Sequence, residues 1–147
     1  MTDECFICAK HAGGVPGGEV AADEFMVVSH LPLSTPSGSS DDVYLGYLFV
    51  GPRRHVAELG DLTAPESSSL GQFMSSASHA LQASEGADHV YAAVIGHGVE
   101  HLHVHLIARY PGAPREYWWM RVDEWPDAPR GGAAEVEALV GRLRAAV

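Results

Sequence analysis

Three histidines alternate with aliphatic residues in the stretch His101-Leu102-His103-Val104-His105-Leu106-Ile107. Strict period-2 alternation is the pattern of a half-buried β-strand, so the imidazoles share one face, each roughly 6.8 Å from the next. Leu102, Val104 and Leu106 then face a core. Imidazole nitrogens need hydrogen-bond partners, which makes three of them a poor core filling. The arrangement suits a site that holds several imidazoles rigidly side by side. Two histidines at i, i+2 with a third nearby can bind a metal, and neutral imidazole is a nucleophile or proton carrier near pH 7.

A second chemistry-bearing pair is Cys5 and Cys8, the two cysteines of the chain, in a single C-x-x-C. The N-terminus is acidic and lacks an apolar core, so it is not read as a secretory signal, and the cytoplasm is the expected compartment. A structural disulfide is disfavoured there. No strand precedes the pair and glycine-rich sequence follows it, which argues against a thioredoxin-type redox motif. Zinc is the better reading, although two thiolates supply half of a tetrahedral site. The other ligands must come from elsewhere, and histidine, nine in 147 residues, is the abundant donor.

The net charge of −10 argues against a protein that coats nucleic acid, which would carry a basic patch. It leaves room for a small anionic ligand, because the local field matters more than the total. No apolar run approaches the ~20 residues of a membrane span. With 46% apolar residues, the composition is that of a single globular domain over residues 1–147.

The elements that must position these side chains follow from pattern. Residues 1–11 read as a zinc-knuckle turn, followed by a glycine-rich connection from Gly13 to Gly18. Residues 19–31 read as one or two strands, 32–42 as a mobile loop, and Val43 to Val50 as one buried strand leading into Gly51-Pro52-Arg53-Arg54-His55. Thr63 and Glu66 have capping-box spacing and Pro65 fits a first helical turn. The spacing predicts a helix over about residues 64–84, with Leu70, Phe73, Met74, Ala77 and Leu81 inward. His79 lies off that stripe. His89 to Ile95 reads as a strand, Gly96-His97-Gly98 as a tight turn, and Val99 to Arg109 as its antiparallel partner. Residues 110–131 form an irregular Trp/Pro-rich segment, and 133–147 a C-terminal helix with Val136, Leu139, Val140 and Leu143 inward. The sum is an α+β fold.

The run His-φ-His-φ-His-φ-φ over residues 101–107, where φ is apolar, resembles the signature of the histidine triad (HIT) superfamily. The segment Val50-Gly51-Pro52-Arg53-Arg54-His55-Val56 is similar to the family's hydrophobic-x-P-[KR]-[KR]-H, Asp61-Leu62-Thr63 also fits, and the N-terminal C-x-x-C resembles that of zinc-bearing bacterial members. The resemblance implies a roughly five-stranded antiparallel sheet with one long central helix and a C-terminal helix, and usually a homodimer whose sheets join. It implies a nucleotide phosphohydrolase cleaving at the α-phosphate of a nucleoside polyphosphate, dinucleoside polyphosphate or nucleotide conjugate. His103 would attack phosphorus to form a covalent nucleotidyl-imidazole, and His105 would donate to phosphate oxygens or assist the leaving group. It also implies a zinc site of Cys5, Cys8, His55 and His101, which is closed and therefore structural.

Two positions depart from the family's Gly-Gln-[Ser/Thr]-φ-x-His before the triad. His97 stands for the glutamine and Gly98 for the hydroxyl residue, so His97 and the backbone N–H of Gly98 are the expected substrate contacts. The loop between Tyr91 and Gly96 is shorter than usual. Trp118, Trp119 and Trp125 would stack on a nucleobase or anchor the tail, and Arg53, Arg54, Arg109 and Arg115 would meet phosphate or solvent. Three other readings stay open: a nucleotidyltransferase or phosphorylase with the same covalent step, a catalytic zinc held by His101, His103 or His105, and a non-catalytic nucleotide-binding protein.

Overall fold

The computed structural model describes residues 5–14 and 18–147. Residues 1–4 of the expected knuckle and Val15, Pro16 and Gly17 of the expected connection lie outside the described residues. The described residues open with helix α1 (Phe6–His11) where a knuckle turn was expected: the Cys8 N–H donates to Cys5 Sγ at 3.4 Å, so the first cysteine caps a helix that carries the second.

Five antiparallel strands form the central sheet in the order β1-β2-β6-β8-β7: β1 (Glu19–Ala22), β2 (Met26–His30), β6 (Tyr47–Pro52), β8 (Val104–Arg109) and β7 (His89–Val94). Helix α2 (Ala64–Glu85) starts at the predicted capping box. Thr63 Oγ1 accepts from the Glu66 N–H, and the Glu66 carboxylate accepts from the Thr63 N–H. Gly86 in the left-handed region closes it, where a side chain would be strained. Helix α3 (Ala133–Ala146) packs beside α2. Both cover one face of the sheet, burying Met26, Val28, Leu48, Val50, Val104 and Leu106 against Leu70, Ala77, Leu81, Leu139 and Leu143. The aliphatic half of the histidine stretch thus supplies core, as its alternation requires. No helix among the described residues is long and apolar enough to cross a membrane.

The structure revises four local expectations. The run from Val43 is two strands: β5 (Val43–Tyr44) pairs with β9 (Arg130–Gly131), and the chain kinks at Gly46 before β6. Gly46 has φ +92°, and a Cβ there would collide with the Tyr110 hydroxyl, so glycine is required. The loop at 32–42 folds on itself as a short ribbon of β3 (Ser34–Thr35) and β4 (Gly38–Ser39). Strands β7 and β8 do pair as expected, but pairing ends at Val94 opposite Val104, so the connection is the loop Ile95–His103 and not a tight turn. The ladder stops there because its backbone groups are taken elsewhere. The Leu102 N–H donates to Val56 O at 2.7 Å, and the His101 carbonyl accepts from a side chain. The tail expected to be irregular contains two 3-10 turns, Arg115–Tyr117 and Trp119–Arg121, before β9.

Candidate functional site

Because β6 and β8 run antiparallel, the end of β6 meets the start of β8. This brings His55, just past β6, to His101, just before β8. Helix α1 lies across the same end and adds its cysteines. The ligating atoms of Cys5, Cys8, His55 and His101 all lie within 4.8 Å of one another. Cys5 Sγ and Cys8 Sγ are 3.5 and 3.3 Å from His101 Nδ1, and Cys8 Sγ is 3.5 Å from His55 Nδ1. A tetrahedral zinc with bonds of about 2.3 Å to sulfur and 2.0–2.1 Å to nitrogen separates such ligands by roughly 3.5 Å. The four residues therefore form a cluster able to bind a metal. His101 is set for this role: it is fully buried, and its Nε2–H donates to Pro52 O at 2.6 Å, leaving the Nδ1 lone pair toward the sulfurs. Burial, then the neighbouring Cys5, pushes the Cys8 thiol up, a cost that a bound cation reverses.

His103 and His105 look the other way, into a cavity of about 290 Å³. The His103 Nδ1–H donates to the His101 carbonyl at 2.7 Å; a carbonyl only accepts, so His103 Nε2 carries a lone pair. His105 has the opposite tautomer. Its Nδ1 lies 2.7 Å from Tyr47 Oη, and burial raises that phenol to about 12, so it stays protonated. The Tyr47 hydroxyl proton has no other acceptor among the described residues. A phenol is the better donor and an imidazole nitrogen the better acceptor, so the hydroxyl donates to Nδ1 and neutral His105 keeps its proton on Nε2. That Nε2 is buried and has no partner among the described residues. The two rings sit 4.9 Å apart, each in a T-shaped pair with Phe49. Burial, aided by the charge of Lys10, holds both imidazoles below their usual range; His105 falls to about 4, with His103 contributing. One cavity thus contains a nucleophilic nitrogen beside a hydrogen-bond donor, both neutral near pH 7.

His97 and Gly98, on the loop before β8, line the same cavity. The structure thus brings His97, Gly98, His103 and His105 together and sets Cys5, Cys8, His55 and His101 apart as the ligand cluster, the two groups touching through His101. None of the four arginines named from sequence lines the cavity. Arg54 Nη2 is 2.7 Å from Glu66 Oε1, and that bond holds the carboxyl down at about 2. Arg53 donates to Asp23 O, and Arg109 and Arg115 lie over the Trp118 ring, Arg109 at 3.6 Å. The tryptophans also lie away from the cavity; Trp118 Nε1–H donates to Ala113 O, and Trp119 meets Tyr91 edge-on. Trp118, under Arg109, and Trp119, against Tyr91, anchor the tail. His79 is exposed on α2.

Sequence reading missed Lys10, Tyr47 and Phe49, which all line the cavity. Tyr47 and Phe49 alternate with the core residues Leu48 and Val50, so their shared face was readable once β6 was placed beside β8. Lys10 stands four residues after Phe6, on one face of α1, but α1 itself was not foreseen.

The HIT domain family model matches residues 26–112, from β2 through β8 and beyond, leaving α1 and its cysteines outside the match. No curated protein matches the chain. Among solved structures it resembles a Zn-bound histidine triad family protein from Mycobacterium smegmatis, at 21% identity over 99% of this chain and 94% of that one, with TM-score 0.70. A hypothetical histidine triad nucleotide-binding protein from Sulfolobus tokodaii shares 20% identity over 97% and 91% of the two chains, TM-score 0.72. A histidine triad protein from Bradyrhizobium japonicum shares 27% over 89% and 90%, TM-score 0.66. With the family model matching more than half of its length, from β2 through the triad, the chain belongs to the HIT domain family.

Proposed function

We propose that this protein is a nucleotide phosphohydrolase acting at the α-phosphate of a nucleoside polyphosphate, dinucleoside polyphosphate or nucleotide conjugate. Family membership supports nucleotide binding and hydrolase or transferase chemistry in general. The observation that carries the finer reading is the pair of ring contacts in one cavity, His103 Nδ1 on a carbonyl and His105 Nδ1 on a hydroxyl, which leaves a lone pair on His103 Nε2 and a proton on His105 Nε2. His103 Nε2 attacks phosphorus; the new P–N bond forms as the P–O bond to the leaving group breaks and its electron pair leaves with that oxygen. His105 Nε2–H donates to a phosphate oxygen whose charge grows in the transition state. Water then attacks phosphorus, the P–N bond breaks, and mononucleotide and free His103 return. His97 and the Gly98 N–H, at the mouth of the cavity, contact the phosphate or leaving group.

The Cys5, Cys8, His55 and His101 set fits zinc, and with four protein ligands it is structural. Bound there, the ion fixes α1 against the end of the catalytic strand, and no step of the reaction passes through it. The same reading includes a homodimer, for which the exposed edge strand β7 supplies a free sheet edge.

The test is incubation with a slow adenylate substrate, quenching without acid, and intact-mass measurement. A nucleotidyl mass on the wild type that vanishes in His103→Ala supports the mechanism. Adduct without hydrolysis, discharged only by inorganic phosphate or another acceptor, would assign a transferase. No adduct and no turnover would sink the enzymatic reading.

A further inference from the structure

Lys10 is the single lysine of the chain. Helix α1 turns Cys5 and Cys8 toward the metal cluster and Phe6, Ile7 and Lys10 toward the cavity. The Lys10 ammonium lies 4.7 Å from the centroid of the Phe49 ring, which forms T-shaped pairs with His103 and His105 at centroid distances of 5.5 and 5.0 Å. Cation, aromatic face and both imidazoles therefore surround one space. No carboxylate among the described residues pairs with Lys10. None lines the cavity either, although the chain carries a net charge of −10. Among the described residues of this acidic chain, the concavity holds the single lysine and no carboxylate.

An aromatic face is a weak counterpart for an ammonium leaving water. The two neutral imidazoles offer a nucleophile and one donor, enough for one phosphoryl group. A second negative group beside it would meet Lys10.

We propose that Lys10 seats a second anionic group of the substrate, the one carried by the leaving group, so that the site selects nucleotides whose leaving group is itself negatively charged. This rests on the reading above, in which the α-phosphate sits between His103 and His105. The chemistry is consistent with that division of labour. When the P–O bond breaks, its electron pair goes to the leaving phosphate oxygen, and an ammonium facing that phosphate stabilises the added charge without transferring a proton. A neutral leaving group would gain none of this.

The test uses the zinc-loaded full chain and calorimetric binding of two probes, α,β-methylene-ADP and the methyl ester of AMP. Both carry a singly charged α-phosphoryl group, and only the first carries a second anion. The wild type is expected to prefer α,β-methylene-ADP by about tenfold or more. Lys10→Met should abolish that preference while leaving the affinity for the ester nearly unchanged, and Lys10→Arg should keep most of it. Variants are compared at equal metal content, and Lys10→Gln carries the same test if Lys10→Met does not hold the metal. Equal losses on both probes, or no preference in the wild type, would overturn the inference while leaving the hydrolase reading intact. A wild type that binds neither probe removes both.

Discussion

The two sides of the histidine stretch are built from the same residue type and served by the same helix, yet they end in opposite conditions. His101 is tied at Nε2 to the Pro52 carbonyl and turns Nδ1 to the cysteines; His103 is tied at Nδ1 to the His101 carbonyl and turns Nε2 to the cavity. On the metal side, each of the four ligands faces the others, and the set is closed. On the cavity side, the His105 Nε2 is buried without a partner and the Lys10 ammonium is paired with no carboxylate, among the described residues. The lesson is that histidine takes its role from which nitrogen the backbone consumes. A closed set of ligands stabilises a fold, whereas unsatisfied donors at a concavity wait for a ligand.

The sharpest way to separate the two sides is to remove one histidine from each. His103→Ala should lower turnover on the order of 10⁴-fold or more and abolish the nucleotidyl adduct, with metal content unchanged. Metal loss in that variant would mean that the sides are not independent. Cys8→Ser should do the reverse. Metal content measured by emission spectrometry should fall far below that of the wild type. A bound ion at a hundred to a thousand times its Kd stabilises by about 3–4 kcal/mol. Thermal unfolding should therefore drop by on the order of ten degrees. A variant that keeps both metal and Tm would refute the assignment of Cys8.

A smaller effect tests how the cavity side is oriented. Tyr47→Phe removes the hydroxyl that donates to His105 Nδ1, so His105 is free to put its proton on Nδ1 and present a lone pair to the phosphate. Loss of that donor should cost about ten- to a hundredfold in kcat/KM. Nitrogen-15 shifts of His105 should show the Nε2–H tautomer in the wild type and a mixture in the variant. An unchanged tautomer with reduced activity would assign Tyr47 a packing role only.

The contrast also explains what was legible in the sequence. Zinc ligation demands cysteine and histidine, residue types too costly to leave unpaired, so Cys5 and Cys8 announced half a site from spacing alone and the triad and His55 completed it by resemblance. The α2 boundaries were readable because Thr63 and Glu66 satisfy a local hydrogen-bond rule. The cavity wall was not. Tyr47 and Phe49 are ordinary strand residues, and they matter only because β6 pairs with β8, a contact between residues far apart in the chain. Lys10 was hidden for a different reason: α1 is too short to show periodicity, and its helix is fixed by a cap from Cys5 Sγ that no sequence rule lists. The arginines misled because proximity in sequence to the histidines says nothing of where a guanidinium points, and Glu66, Asp23 and Trp118 claim them.

The smallest predicted effect concerns a histidine on neither side. His30 is fully buried; its Nδ1–H donates to Leu31 O at 2.9 Å, and its Nε2 accepts from the Gly46 N–H at 3.0 Å. That second bond holds the kink from which β6 starts, and so the position of Tyr47. The second bond exists only in the neutral ring, because a proton on Nε2 would face another N–H. Burial, with a lesser push from the charge of Lys10, holds His30 below its usual range. The unfolded chain takes up this proton near pH 6.5 and the folded chain does not. Unfolding therefore binds a proton below that pH, and the contribution is complete above about 6.5 and is lost as pH falls toward the folded-state value. His105, held down to about 4, acts with the same sign. Stability from urea titrations should decline from pH 7 to 5. In His30→Gln, where an amide oxygen can accept from Gly46 without titrating, the decline should be shallower by up to about 1.4 kcal/mol per pH unit. Identical slopes would mean that His30 stays accessible to protons in the fold, and that the kink orienting Tyr47 and His105 does not depend on a neutral ring.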